Sequence, residues 1–314
     1  MSNCQCSTLN YVPATIVINP VPTSSYISHK PNIDFTNLGY TIKRSESVYQ
    51  TLQESFAICP KLHSLQFYLD TYQADLSSSV LPSGLSSQDK ILSTKYCLDN
   101  NKSFYFHCPL NMNLSRSDYV GKRMFNIVQH NCNQVISMPA SCVLHVGNSK
   151  KGGTIYDVAN NVNDLNLTKG HYINNPYPLL LENCAGQGND LGCTLEEFRH
   201  LYEALDKTVI GVCFDTQHMF ASGMCEFNNH HEVDKVFENI ESICGRPALF
   251  HLNDSKVGFG RRTDRHENLG AGYIWSRSKD SLFRLRELCQ DNNIDLLLET
   301  PATYRANDIN IMIQ

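Results

Sequence analysis

Six short apolar runs in this chain stop on a histidine or a carboxylate. They are Ser103-Phe-Tyr-Phe-His107, Cys142-Val-Leu-His145, Leu179-Leu-Leu-Glu182, Ile210-Gly-Val-Cys-Phe-Asp215, Leu249-Phe-His251 and Ile294-Asp-Leu-Leu-Leu-Glu299. Two further segments lie just past such ends. Asp215-Thr-Gln-His218 sets an acid and a histidine three apart, and His251-Leu-Asn-Asp254 opens a loop that reaches Asp264-Arg-His266. If that loop is extended, alternate side chains share a face, so Asp264 and His266 point the same way. The set then holds five histidines (His107, His145, His218, His251, His266) and four carboxylates (Glu182, Asp215, Asp264, Glu299). A catalytic zinc takes about three protein ligands plus water, so a set of this size suits two or three ions. Imidazole and carboxylate without thiolate favour zinc or manganese. Three divalent ions against these carboxylates leave a net charge of about +2, which suits a phosphodiester in a concave site.

For these groups to act together, something must bring six separate run ends to one place. Each run has about four to six β-prone residues, the length of a buried parallel strand. Earlier candidates for strands are Asn37 to Ile42 and Leu62 to Leu69. Helical spacing or capping marks Ser45 to Cys59, Asp89 to Leu98, Ser115 to Ile136, Thr154 to Asn163, Thr194 to Leu205, Glu232 to Ile243 and Ser278 to Gln290. Ser115-Arg-Ser-Asp118 is a helix cap signal, and Thr194-Leu-Glu-Glu197 has the capping-box pattern. Ala306 to Gln314 is left for an eighth helix. Eight β/α units in about 280 residues predict a (β/α)8 TIM barrel, in which all strand C-termini meet on one face. No strand is followed by a glycine-rich dinucleotide turn, which argues against an open doubly wound sheet. Residues 1–33, with scattered prolines and serines, are expected to form an extension outside the barrel, and residues 34–314 the barrel itself.

The totals fit a soluble enzyme-sized fold: 314 residues, 41% apolar and 18% charged. No apolar run approaches the ~20 residues of a membrane span. Met1-Ser-Asn-Cys-Gln-Cys6 lacks the basic start and apolar stretch of a secretory signal, so a place inside the cell (cytoplasm, nucleus) or in a viral particle is expected rather than secretion. The 13 cysteines are odd in number and scattered. Several, such as Cys142, Cys184 and Cys213, sit in or beside apolar runs and read as reduced, buried small hydrophobes. Cys4 and Cys6 have no second half at zinc-finger spacing. A net charge of −5 argues weakly against a nucleic-acid partner, but bound cations reverse the sign locally. Lys256, Arg261, Arg262 and Arg265 lie in the loop that carries Asp264 and His266, which makes them candidates for phosphate contacts. His29, His63, His130, His171, His200 and the pair His230-His231 lack such a context and read as packing or surface residues.

Longer segments resemble a known family. Leu180-Leu-Glu-Asn-Cys-Ala-Gly-Gln-Gly, Gly211-Val-Cys-Phe-Asp-Thr-Gln-His, and His251-Leu-Asn-Asp-Ser-Lys running on to Asp264-Arg-His-Glu-Asn-Leu-Gly-Ala-Gly are similar to the three signature segments of the endonuclease IV family. The likeness runs from about Gly39 to Glu299. It implies a zinc-dependent apurinic/apyrimidinic (AP) endonuclease of base excision repair. Such an enzyme hydrolyses the phosphodiester 5′ to an abasic site in double-stranded DNA to leave a 3′-OH, and trims 3′ blocking groups. It also implies three zinc ions per monomeric chain, with manganese an alternative at some positions. Glu182 would bridge two ions; His107 and His145 would complete the first, and Asp215, His251 and Glu299 the second. His218, Asp264 and His266 would hold the third. Glu182 and Glu299 would be the catalytic carboxylates of a metal-assisted in-line displacement.

The chain departs from the family in three loops. Thr41 or Lys43 stands where the family has a histidine, and Cys108-Pro-Leu110-Asn where bacterial members carry a wedging aromatic. Tyr72 and Gln73 replace a basic residue after the second strand. Leu110, Tyr72 and Gln73 are thus the candidates to touch DNA there. The rival enzyme class is a sugar isomerase of the xylose isomerase type, whose roughly two metals would leave Asp264 and His266 unused. A lesion-binding scaffold is the non-enzymatic rival, and the complete ligand set argues against it.

Overall fold

The computed structural model describes residues 37–69, 72–78, 80–170 and 176–313. The extension expected over residues 1–33, with His29, lies outside the described residues, as does His171. In the first half of the chain, strands and helices alternate as β1 (Leu38–Thr41), α1 (Val48–Ile58), β2 (Ser64–Tyr68), α2 (Ser87–Asn100), β3 (Ser103–His107), α3 (Tyr119–Val135), β4 (Ala140–His145) and α4 (Ile155–Asn163). Then come β5 (Leu179–Glu182), α5 (Leu195–Glu203), β6 (Ile210–Asp215), α6 (Thr216–Ser222), α7 (His230–Cys244) and β7 (Leu249–Leu252). A small ribbon of β8 (Asp254–Ser255) and β9 (His266–Glu267) precedes α8 (Lys279–Asp291), β10 (Asp295–Leu298) and α9 (Arg305–Ile313).

Among the described residues, eight parallel strands close into a barrel in the order β1-β10-β7-β6-β5-β4-β3-β2. Closure is made by β1, which pairs with β10 (Leu38 opposite Leu296) and with β2 (Gly39 opposite Ser64). Strand side chains alternate between faces. Phe104, Phe106, Leu179, Leu181, Phe214 and Phe250 belong to the large core shared with the surrounding helices. The alternate positions Tyr105, Val143, Leu180, Cys213, Leu249 and Leu297 form a second buried cluster, the plug of the bore. Two residues further along those same strands stand His107, His145, Glu182, Asp215, His251 and Glu299. The period of two that fills the bore with apolar groups therefore also aims the six polar terminators at its C-terminal mouth.

The helices start where short polar side chains can accept from the exposed backbone N–H groups of the first turn. Ser47, Ser86, Thr154, Asn229 and Ser278 do this for α1, α2, α4, α7 and α8. At α3 the cap is Asp118, the last residue of the Ser-Arg-Ser-Asp signal. The reciprocal box expected at Thr194 is half formed. Thr194 accepts from Glu197 N at 3.1 Å, but the Glu197 carboxylate accepts from Cys193 N at 3.0 Å instead of from the cap residue. The 11 described cysteines are unpaired, and all except Cys59 are buried, as small hydrophobes would be. None of the described helices is long and apolar enough to cross a membrane.

Candidate metal centre

Glu182 stands at the centre of the mouth, completely buried. Its Oε2 lies 3.2 Å from His107 Nε2 and 3.3 Å from His145 Nε2. Its Oε1 lies 2.9 Å from His251 Nδ1. Glu299 Oε2 is 3.1 Å and Asp215 Oδ2 3.9 Å from the same Nδ1. Asp215 is also the N-cap of α6: its Oδ1 accepts from His218 N at 2.9 Å. That cap places Asp215 and His218 on one helical turn, which is why their spacing of three brings both to the site.

Asp264 and His266 arrive from the loop, and the β8–β9 ribbon folds that loop back over the mouth. The ribbon is pinned by Asp254, a buried carboxylate that accepts from the backbone of Ser255, Gly270, Gly272 and Ile274 at 2.8–3.1 Å. A side chain on Gly272 would collide with the Ser255 carbonyl oxygen, so this approach requires glycine. Asp264 Oδ1 then sits 3.3 Å from His266 Nε2 and 3.6 Å from His218 Nε2, while His266 Nε2 is 3.8 Å from Asp215 Oδ2. All nine residues expected from sequence thus converge on one rim.

Eight of the nine gather into three overlapping groups of ligand atoms: His107, His145 and Glu182; Glu182, Asp215, His251 and Glu299; and Asp215, His218 and His266, with Asp264 beside the last of them. The ring nitrogens fit metal binding. His107 Nδ1 is 2.6 Å from Cys108 O and His218 Nδ1 is 2.8 Å from Asn183 O. A carbonyl can only accept, so those nitrogens carry protons, and Nε2 is the ring nitrogen that faces the carboxylates and would be offered to a metal. The Nε2 atoms of His218 and His266 are buried and make no hydrogen bond, and buried polar atoms left in that state are costly unless a cation or water meets them. Cys213 also lies within reach of Glu182 and His251. Burial pushes its thiol up to about 12, so it stays protonated beside ionised carboxylates.

Charge in the site is balanced within the set. Burial works against ionised Glu182, yet the charges of His251 and His145 and a hydrogen bond to His107 hold it well below the usual glutamate value. Burial likewise opposes protonation of His266, but Asp215 and Asp264 lift it to about 9. In the protein by itself, protons occupy positions that cations would otherwise take.

The candidate DNA contacts border the same mouth. Lys256, Arg261, Arg262 and Arg265 are exposed along the loop. Arg262 is held in place by its backbone N–H, which donates to Ala221 O at 2.8 Å. Tyr72 is 57% exposed, its ring 5.0 Å from that of Tyr68, which is 5.2 Å from His107. Leu110 N donates to Tyr72 O at 3.1 Å, so those two loops lie side by side. Leu110 also lines a cleft of about 60 Å³ with Met112, His145, His218 and Asp264. Gln73 is exposed in the same loop.

Sequence reasoning passed over the groups that orient the ligands. Asn253 Nδ2 donates to Asp215 Oδ2 at 2.6 Å, and its Oδ1 accepts from Glu299 N at 3.2 Å. Asn183 Oδ1 accepts from Asp215 N at 2.7 Å. Each stands next to, or two residues from, a ligand, and that adjacency was the available signal.

The model of the xylose isomerase-like TIM barrel family matches residues 95–278, more than half of the chain. The chain belongs to the xylose isomerase-like TIM barrel family. Within it, the chain is 37% identical over 160 residues to apurinic-apyrimidinic endonuclease 1 of Plasmodium falciparum, covering 50% of this chain and 26% of that protein. It is 30% identical over 208 residues to a probable endonuclease 4 of Acholeplasma laidlawii, covering 62% of this chain and 66% of that one. The chain thus spans less than two thirds of these relatives' length. Among solved structures, endonuclease IV from Thermus thermophilus superposes with a TM-score of 0.71 at 22% identity, over 88% of this chain and 97% of that chain. A D-tagatose 3-epimerase-like protein follows with a TM-score of 0.56 at 14% identity, over 88% and 94%. At those identities the structural likenesses establish the barrel fold.

Proposed function

We propose that this protein is a zinc-dependent AP endonuclease. It would hydrolyse the phosphodiester 5′ to an abasic site in duplex DNA, leave a 3′-OH, and remove 3′ blocking groups. The observation that carries the reading is the cluster of His218, Asp264 and His266. A family member that works on sugars with about two metals has no use for Asp264 and His266, yet here both stand within 3.6 Å of His218 or of each other. The names of the relatives from P. falciparum and A. laidlawii point the same way.

In this reading Glu182 serves two ions, one with His107 and His145 and one with Asp215, His251 and Glu299. His218, Asp264 and His266 hold a third. Zinc suits the donors, with manganese able to replace it at some positions. When bound, the ions supply Lewis-acid polarisation of a phosphoryl oxygen and a water of lowered pKa. The chain's own residues do the rest. Lys256, Arg261, Arg262 and Arg265 meet backbone phosphates and fix register. Tyr72, Gln73 and Leu110 border the mouth where an abasic nucleotide would enter. The protein acts as a monomer, in the cytoplasm, the nucleus or a viral particle.

The test is a duplex carrying one abasic site, with metal analysis of the same sample. Wild type should retain about three zinc ions and cut on the 5′ side, and Glu182→Gln should do neither. A metal-loaded wild type that leaves the duplex intact but interconverts sugars would overturn the reading.

A further inference from the structure

The plug of the barrel contains a buried amide that no part of the mechanism above uses. Gln66 lies on β2 opposite Thr41 and Tyr105, level with the apolar cluster of Tyr105, Val143, Leu180, Cys213, Leu249 and Leu297. It is completely buried. A leucine or methionine would suit that layer, because an amide taken out of water is unfavourable unless its donors and acceptor are matched. Here they are matched upward, into the ligand set. Gln66 Nε2 is 2.5 Å from Glu299 Oε1 and 3.2 Å from Thr41 Oγ1. Gln66 Oε1 is 3.0 Å from His251 Nε2.

We infer that Gln66 is a positioning residue. It fixes which nitrogen of His251 is free for a metal and which oxygen of Glu299 faces it, and so sets occupancy of the group formed by Glu182, Asp215, His251 and Glu299. The inference rests on the metal-dependent reading of the site. A carboxylate oxygen only accepts, so the Gln66 NH2 must face Glu299, which leaves Oε1 toward His251. Oε1 in turn only accepts, so His251 carries its proton on Nε2. Nδ1 is then the nitrogen that faces Glu182 Oε1 and Glu299 Oε2, 2.9 and 3.1 Å away, where a cation would displace its proton. His107 and His218 receive the same service from backbone carbonyls, which no substitution removes. At His251 the role falls to a side chain, and mutation can therefore reach it.

The experiment uses the full chain in its metal-loaded form. Gln66→Met keeps length and apolar bulk and removes all three contacts. Elemental analysis during titration with a chelator should show one ion per chain leaving at about 10- to 100-fold lower chelator concentration than in wild type, with the others unmoved. In the metal-loaded protein with ¹⁵N-labelled histidine, the His251 Nε2–H should be protected from exchange with solvent in wild type and should exchange measurably faster in Gln66→Met. A merely structural role would move neither readout. Gln66→Glu gives a second route if the methionine variant does not fold. It retains an acceptor for His251 but opposes Glu299, so the Nε2–H should stay protected while the ion is lost more readily. Wild-type retention of every ion in either folded variant overturns the inference. A wild type that binds no metal and cuts no abasic DNA would instead refute the functional reading beneath it.

Discussion

The two ends of the barrel bore treat buried charge in opposite ways. At the N-terminal end one carboxylate, Asp295, accepts from Ser103 Oγ at 3.1 Å and from Tyr105 OH at 2.8 Å, with His63 Nε2 3.8 Å away. Neutral hydroxyl donors meet one of its oxygens and offset part of the cost of burial. At the C-terminal end four carboxylates and five imidazoles crowd one another within the same bore, and two imidazole nitrogens are left without a hydrogen bond. One end meets its single carboxylate with side chains of the fold; the other crowds ionisable groups together as a cation site would. In barrels of this kind the N-terminal face carries stability and the C-terminal face chemistry, and here the crowding of ionisable groups at one end separates them.

The largest expected effect tests whether the upper end really is one shared unit. Glu182→Ala removes a group common to two ligand clusters. It should lose about two ions and slow incision of abasic duplex by at least about 10³-fold, since metal stabilisation of the transition state is worth several kcal/mol. Thermal melting of the metal-free chain should show a folded barrel with a lower midpoint, because the buried His107, His145 and His251 lose the carboxylate that they meet. Normal metal content with full activity would erase the distinction between the two ends. Asp264→Ala or His266→Ala should act less broadly, losing one ion and most turnover while DNA affinity largely persists. Measuring zinc stoichiometry and binding to uncut duplex on the same samples separates these outcomes.

A smaller effect is expected around the rim. If Arg261, Arg262 and Arg265 neutralise phosphates, replacing any one with Ala should lower the slope of log K against log salt by about one unit, for all duplex sequences alike, with metal content unchanged. Equal slopes in wild type and all three variants would mean that the loop serves to present Asp264 and His266, and that the duplex is gripped elsewhere.

Why the upper end was legible in the sequence and the lower end was not follows from the strand pattern. β3, β5 and β6 end on the residues where their apolar runs end, because His107, Glu182 and Asp215 are the first polar groups at the mouth. Asp295 and His63 sit one residue inside the runs that begin at Ile294 and Leu62, where a single polar residue carries no sign of a partner across the bore. Gln66 is hidden for a related reason: it lies inside Leu62 to Leu69, and a single polar residue does not disturb a β-prone run. α6 was missed because its seven residues follow β6 without a spacer. The β8–β9 ribbon has two residues in each strand, too few for any periodicity. What composition and spacing do not carry is which backbone groups meet across the bore.

The smallest effect sharpens the comparison from below. Burial raises the Asp295 carboxyl above its ordinary 3.8, and His63, Tyr105 and Ser103 only partly offset this. A folded-state value above the unfolded one means that the native protein binds the proton more tightly. Its contribution to stability is therefore full below the unfolded value, and is lost as pH rises through the folded value. Asp295→Asn has no such proton, keeps an acceptor for Tyr105, and should gain on wild type as pH climbs from 3.8, by at most about 1.4 kcal/mol per pH unit. Above the folded value the gain should level off. Chemical denaturation at a series of pH values reads this directly, and zinc content and incision rate should be unchanged throughout. A variant that loses metal or activity would show that the lower network reaches through Tyr105 and the apolar plug to the ligands. The two ends would then be coupled, and the division of the bore into two separate ends would fail.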